Sequence, residues 1–369
     1  MPDGLVSIII PTFNRAVAVC RTLDSVQAQT YSNWEAVVID DGSTDDTARV
    51  IAGRYGHDQR VRYLYQPNTG VSGARNRAMA AAQGGYIAFL DSDDTWEPWK
   101  LELQMACLSR EPEIGMVCTD MMAIDESGEV VHPEYLKVMY RSWRQYTEAD
   151  LFDRDYPVAS FAPQLPEKVL RSHLFTGEIY SQMVTGNLVH TSTVLLRREW
   201  QQHVGNFDVT LTPTGEDFDY HLRTCRLGRI GFVDTSAVRY QTGMADQLTD
   251  RKHGVQTSGN FLRTIEEVIE KDRDRIHLPE EAIARTRSYA HGWHGQELAL
   301  AGRGAEARKH LRLSLRYRWN SHALCFYGLS LLPMAGIRAL RSVGRKLRSR
   351  RRKLGDVSKE SVSHGAEAG

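Results

Sequence analysis

Cysteine is scarce and scattered in this chain. The 369 residues hold five (Cys20, Cys107, Cys118, Cys225 and Cys325), an odd number with no CxxC pair. That argues against a disulfide framework and a zinc ribbon, and leaves reduced thiols packed as small apolar groups. Long apolar runs are missing as well. The nearest, Ala323 to Ile337, is broken by Pro333, two glycines and a serine, and falls short of the ~20 residues that a membrane span needs. The pattern of a secretory leader is also lacking. Met1 to Leu5 carries no basic segment, and the apolar run Val6 to Ile10 is too short and stops at Pro11. It reads as a buried strand. Net charge is absent, with 46 Lys and Arg against 46 Asp and Glu, which excludes a uniformly basic nucleic-acid binder. What remains, 41% hydrophobic and 25% charged residues, is ordinary for a soluble globular protein. The length allows two or three domains.

The first half alternates strand and helix signals. Strands are expected at Val6 to Ile10, Glu35 to Asp40, Val61 to Gln66 and Gly85 to Asp91. Helices are expected at about Ala16 to Gln29, Ser43 to Tyr55 and Ser72 to Gln83. Continuous apolar strands alternating with helices predict an α/β fold with a mostly parallel sheet covered on both faces. Ile114 to Asp125 reads as another strand pair, and Glu134 to Thr176 as loop with short helices. Thr191 to Trp200 reads as a strand entering a helix, and Glu216 to Leu227 as a helix. From about Gly259 the pattern is helical, with a helical hairpin across Ala290 to Arg318 turning at Gly302 to Gly304. No second copy of the hairpin exists, so a repeat array is not supported.

In a parallel sheet, ligands bind beyond the C-terminal strand ends. Three polar clusters fall there: "PTFNR" (Pro11, Thr12, Phe13, Asn14, Arg15), "DDGSTDDT" from Asp40 and Asp41, and "DSDD" (Asp91, Ser92, Asp93, Asp94). Each alone is explained by turns, helix caps or a solvated loop. Together they crowd carboxylates on one edge, which is costly unless a cation binds. Hard oxygen ligands favour Mg²⁺ or Mn²⁺, which take further ligands from substrate phosphates. Between the clusters lies "NTGVSGARN", a glycine-rich entry to a helix that includes Asn68, Gly70 and Arg75. Backbone amides and a guanidinium there suit phosphate or base-edge recognition. A surface ion pair is the plainer reading of Arg75.

The segments "VSIIIPTFNR", "VVIDDGSTDDT", "NTGVSGARNRA", "GYIAFLDSDD" and "GNFDVTLTPTGEDFDYHLR" occur in that order. Over roughly Val6 to Tyr240 the chain resembles the family 2 glycosyltransferases. These are inverting enzymes of the GT-A fold that use nucleotide-diphospho-sugars. The resemblance implies that the first cluster, with Asp40 and Asp41, holds the nucleoside. Asp41 is favoured as acceptor of the base N–H, and Arg75 would lie near the base or diphosphate. It assigns Asp93 to the metal, and Asp91 to the ribose or metal. It makes Asp217 the base that takes the proton of an acceptor hydroxyl, with Glu216 orienting that acceptor. Asp217 also has a plain reading, as a first-turn residue favoured by the helix dipole. One departure stands out. Where relatives carry a basic residue and a His after a Tyr, this chain has Gln241 and Gly243, with His253 nearby.

The resemblance thus implies a nucleotide-diphospho-sugar donor, UDP-type favoured with GDP- and dTDP-types as alternatives, a Mn²⁺ or Mg²⁺ ion and a glycan or lipid-linked acceptor. The irregular stretch Glu134 to Thr185 would shape the acceptor pocket. The parts expected are a nucleotide-sugar half (1–110), an acceptor half (111–250), a helical region (251–337) and a basic disordered tail (338–369). The tail's segment Arg338 to Lys353 carries nine positive charges and no negative one. It suits an anionic membrane surface better than nucleic acid, for no aromatic residues interleave it. The expected location is cytoplasmic and peripheral on the inner face of the membrane. A non-catalytic sugar-nucleotide-binding or scaffold protein is the alternative, and a nucleotidyltransferase a weaker one.

Overall fold

The computed structural model describes residues 4–244 and 251–332. The chain divides into two compact units, 1–286 and 287–369. The expected tail Arg338 to Lys353 lies outside the described residues.

Unit one is built on an eleven-stranded sheet ordered β3-β2-β1-β4-β10-β6-β11-β9-β8, with β5 and β7 attached to β11 and β6. Its first half follows the expected alternation. Strand β1 (Val6–Thr12), helix α1 (Ala18–Gln27), β2 (Trp34–Asp40), α2 (Thr47–Tyr55), β3 (Val61–Tyr65), α3 (Gly70–Ala81) and β4 (Tyr86–Phe89) succeed one another. β1 is parallel to β2 and to β4, and β2 is parallel to β3. Every residue of β1 and β2 is buried. Both sheet faces are covered, which explains unbroken apolar runs in place of alternation.

The second half departs from the parallel pattern. After β5 (Thr95–Trp96) and α4 (Lys100–Arg110) comes β6 (Met116–Ile124). The strand pair expected at Ile114 to Asp125 is therefore a single nine-residue strand. Buried on almost its whole length between β10 and β11, it has no need to turn back on itself. Strand β7 (Val130–His132) pairs with its end. The stretch expected to be loop with short helices also contains a small antiparallel pair, β8 (Arg154–Pro157) and β9 (His173–Gly177). β8 is short and mostly exposed, so it leaves little apolar pattern to read. β10 (Leu195–Arg197) runs antiparallel to both β4 and β6 and joins the two halves of the sheet. Helix α5 (Glu216–Cys225), β11 (Ile230–Gln241) and α6 (Gly254–Lys271) follow.

Asp120 in β6 is a buried carboxylate, and burial pushes it up to about 6. Its Oδ1 accepts from the amides of Met121 (2.6 Å) and Leu136 (3.0 Å). A carboxyl raised in the fold stabilises fully below its unfolded value near 3.8, and that contribution is lost as pH rises through about 6. An Asp120→Asn variant keeps an accepting oxygen without the charge. Relative to wild type it is expected to gain about 2 kcal/mol between pH 4 and pH 8. Chemical denaturation across that range measures this, and a difference that does not vary with pH would contradict it.

Unit two contains the expected helical hairpin. Helix α7 (Glu280–Leu300) runs across the division between the units, and α8 (Gly304–Tyr317) and α9 (Ser321–Leu329) follow. Gly302 makes the turn with φ +82°, as a residue without Cβ can. Ser288 and Ser314 exchange side-chain to carbonyl hydrogen bonds of 2.9 and 2.7 Å between α7 and α8. No helix among the described residues is long and apolar enough to cross a membrane.

Candidate active site

The C-terminal ends of β1, β2 and β4 carry the clusters that the sequence singled out. Thr12 closes β1 with its Oγ1 buried and unpartnered. Phe13 is exposed, and Asn14 adopts a left-handed backbone at φ +51°. Its side chain supports that conformation, for Asn14 Oδ1 accepts from the Thr44 amide (2.8 Å). In return, the Asn14 amide donates to Ser43 Oγ (2.8 Å). The loops after β1 and β2 are thereby laced together.

Asp40 and Asp41 are both buried. Asp40 accepts from the Ser43 amide (2.8 Å) and the Tyr63 hydroxyl (2.6 Å). Asp41 accepts from Gln66 Nε2 (2.6 Å) and from the amides of Thr69 (2.9 Å) and Gly70 (2.8 Å). A carboxylate is thus set on the first amides of α3, where the dipole favours it. Gly42 beside it has φ +85°, and a Cβ there would lie 2.9 Å from the Asn68 amide nitrogen. Only glycine permits both the backbone and the approach. Asn68 itself is exposed.

Helix α3 then delivers Arg75 into the centre. Its side chain is 4% exposed, so the surface ion pair considered for it is excluded. Nη2 donates to Asp91 Oδ1 (2.7 Å) and Nη1 to Glu216 Oε1 (2.8 Å), while the guanidinium lies 5.2 Å from the Phe207 ring centroid. One cation therefore ties "DSDD" to "GED", segments more than a hundred residues apart. Burial opposes ionisation of Asp91, but the Arg75 charge holds its carboxyl below the usual range. Glu216 is pushed up by burial and by the adjacent Asp217 charge, against the pull of Arg75. Glu216 Oε2 and Arg75 Nε are buried without a hydrogen-bond partner.

The "DSDD" loop is anchored by its last residue. Ser192 Oγ accepts from the Asp91 amide (3.2 Å) and donates to Asp94 Oδ2 (2.6 Å). The Gln241 amide donates to Asp94 Oδ1 (3.3 Å). Asp94 is raised well above the usual carboxylate range by burial and by the charges of Asp93 and Asp91. It joins the loop to β11 rather than capping a helix, since α4 begins only at Lys100. Ser92 is buried, and Asp93 stands at the rim with its side chain about a quarter exposed, 3.9 Å from Arg15 Nη2.

Asp217 lies in the first turn of α5, half-buried, with Oδ1 accepting from the Phe218 amide (2.8 Å). Gly215 before it takes φ +102°, and a Cβ there would meet Asn260 Cβ at 3.1 Å. Asn260 Nδ2 donates to the carbonyls of Thr214 (2.7 Å) and Thr212 (3.1 Å), which fixes this turn from α6. At the departure noted above, Gln241 ends β11 and Gly243 has φ +87°. His253 is the N-cap of α6.

His190 escapes the sequence reading, and Tyr140 is covered only as part of the stretch Glu134 to Thr185. The charges of Asp91, Asp217 and Arg75 act on the His190 ring, and those of Asp217, Asp91 and Glu216 on the Tyr140 hydroxyl. Neither lies in a motif, and no local periodicity marks them. The one available signal is that His190 directly precedes the segment entering β10.

Among the described residues, no group of three or more His, Cys, Asp or Glu is placed to hold a metal ion. Asp91 and Asp93 offer hard oxygens from one loop, a donor set that suits Mg²⁺ or Mn²⁺ when the remaining ligands come from substrate or water.

Residues 7–163 match the model of glycosyl transferase family 2. The match spans less than half of the chain, from β1 through β8, and the fold is of the GT-A type. Among individual relatives, it is 37% identical over 131 residues to a chondroitin synthase of Escherichia coli, a match covering 36% of this chain and 19% of that protein. It is 43% identical over 109 residues to the Escherichia coli UDP-Glc:alpha-D-GlcNAc-diphosphoundecaprenol beta-1,3-glucosyltransferase WfgD, covering 29% and 42% respectively. The chain thus matches less than half the length of these curated relatives. In fold it is similar to S. aureus TarS, with a TM-score of 0.54 at 16% identity, covering 87% of this chain and 54% of that one.

Proposed function

We propose that the protein is a metal-assisted, inverting glycosyltransferase that moves a sugar from a nucleotide-diphospho-sugar to a hydroxyl of a glycan or lipid-linked acceptor. The observation that carries this reading is the Arg75 bridge, which joins Asp91 to the residue beside Asp217. In this reading Pro11 to Arg15, Asp40, Asp41, Asn68 and Gly70 form the nucleoside end. Asp41 is the acceptor favoured for the base N–H, held in place by the amides of Thr69 and Gly70. Arg75 fixes Asp91 and Glu216, and the stretch Glu134 to Thr185 forms the acceptor side.

Asp217 takes the acceptor proton as the hydroxyl attacks the anomeric carbon in line with the departing diphosphate. A half-buried carboxylate meets both needs, since an acceptor can reach it and bulk water does not swamp it. Asp93, with Asp91, would hold a divalent cation, which when bound neutralises charge developing on the leaving diphosphate. A UDP-type donor is favoured by the glucosyltransferase relative, whose name specifies UDP-Glc. The same name specifies a diphosphoundecaprenol-linked acceptor, which supports a lipid-linked one here and a role in envelope polysaccharide synthesis.

The test is turnover of UDP-sugars with a lipid-linked saccharide, in Mn²⁺ and after chelation with EDTA. Release of UDP coupled to a product of inverted anomeric configuration is expected, with activity lost to EDTA and restored by Mn²⁺ or Mg²⁺. Full turnover in EDTA would remove the metal role of Asp93. Retained configuration would remove Asp217 as base.

A lipid-linked acceptor also gives the basic segment Arg338 to Lys353 a task, docking on anionic lipid at the inner face of the membrane. Nine cations at about 1 kcal/mol each near such a surface suffice for peripheral binding. Deleting 338–369 is expected to abolish pelleting with phosphatidylglycerol vesicles at low salt. Unchanged pelleting would contradict the assignment.

A further inference from the structure

His190 sits where the chain enters β10, and it is 8% exposed. Its ring packs edge-on to Tyr240, centroids 5.2 Å apart, and tilted to Tyr140 at 6.4 Å. The backbone is anchored, for the His190 carbonyl accepts from both the amide (3.0 Å) and the hydroxyl (2.6 Å) of Thr193. Next to it, Thr191 Oγ1 lies 3.1 Å from Nε2 of the buried His221. Yet among the described residues Nδ1 of His190 is buried with no hydrogen-bond partner. Buried ring nitrogens are rarely left so, because an unmade bond there is costly. The charged groups that act on the ring are Asp91, Asp217 and Arg75. None belongs to the nucleoside end around Asp40 and Asp41.

We infer that His190, backed by Tyr140, hydrogen-bonds a hydroxyl of the transferred sugar and so selects which sugar the donor carries. The inference rests on the donor reading above and deepens it. A neutral imidazole offers one N–H and one lone pair, and a sugar hydroxyl can answer either. Burial lowers the ring's affinity for a proton, against the pull of the Asp91 and Asp217 charges. Selection follows because a site with a buried polar atom rejects a sugar that cannot satisfy it far more strongly than an apolar wall does.

The test compares UDP, UDP-glucose and UDP-N-acetylglucosamine by calorimetric titration in Mn²⁺. Wild type is expected to bind one UDP-sugar more tightly than UDP. His190→Ala should leave UDP affinity within about twofold and weaken the preferred UDP-sugar about tenfold. His190→Gln, which keeps a donor and an acceptor, should recover part of that loss, and it serves as the reading if the alanine variant fails to fold. Equal weakening of UDP and UDP-sugar, or no weakening of either, overturns the inference while leaving the donor reading intact. A wild type that binds no sugar nucleotide overturns both.

Discussion

Asp217→Asn is expected to lower sugar transfer by about 10³-fold while leaving donor affinity and thermal stability nearly unchanged. The magnitude is that of a positioned general base. Asparagine retains size and an accepting oxygen, so the bond from the Phe218 amide survives. What it loses is the ability to take a proton. The competing account of Asp217, a first-turn residue that favours the helix dipole, predicts the reverse pattern. Removing such a charge costs at most about 1 kcal/mol of stability at an exposed helix end, and nothing in the chemical step. Donor titration, melting temperature and turnover measured on one preparation separate the two. Wild-type turnover with a lowered melting temperature would remove Asp217 from the reaction.

Arg75→Met should have the largest effect on stability. The substitution keeps much of the apolar stem but deletes the cation between Asp91 and Glu216 and its contact with the Phe207 ring. Removing one partner of a buried ion pair costs about 3–5 kcal/mol, because the other charge stays in a low dielectric. Asp91 keeps some contact with solvent, so the lower end is expected. The loss should depend on pH. Without Arg75, burial raises Glu216 and Asp91 unopposed, so the variant's fold binds protons more readily than its unfolded chain. Its deficit should therefore narrow in mild acid and widen as pH rises through the raised values. The double variant Arg75→Met, Glu216→Gln should recover part of the deficit at pH 8, since it removes one stranded charge. Denaturant midpoints at pH 5.5 and 8 measure all three proteins. An Arg75→Met variant as stable as wild type at pH 8 would show that the bridge does not hold the site together.

Local pattern carried a good deal of this protein. Apolar runs such as Val6 to Ile10 must be buried on both faces, and the alternation of such runs with helical stretches is enough for parallel strands and helices over Val6 to Phe89. Polar residues at strand ends, and Gly42 and Gly215 at backbone turns, are likewise local, and they mark the motifs without coordinates. The helical hairpin of the second unit was legible for the same reason, since Gly302 breaks a regular 3.6-residue pattern.

Everything that joins distant segments had to wait for the fold. Whether Ile114 to Asp125 turns back or runs straight depends on β10 and β11 arriving at its flanks. The pairing of β8 with β9 depends on a neighbour strand and not on the weak pattern of "RDYP". The same holds in the site, where Arg75 reads along the chain as a base or phosphate contact or a surface ion pair until Asp91 and Glu216 are brought to it from 16 and 141 residues away. His190 has no signature along the chain beyond its place just before β10, and its meaning is the nitrogen that folding buries under the charges of Asp91, Asp217 and Arg75. The physical reason is range. Propensity, periodicity and turn chemistry act within a few residues, whereas ion pairing and desolvation act across space and have no sequence interval of their own.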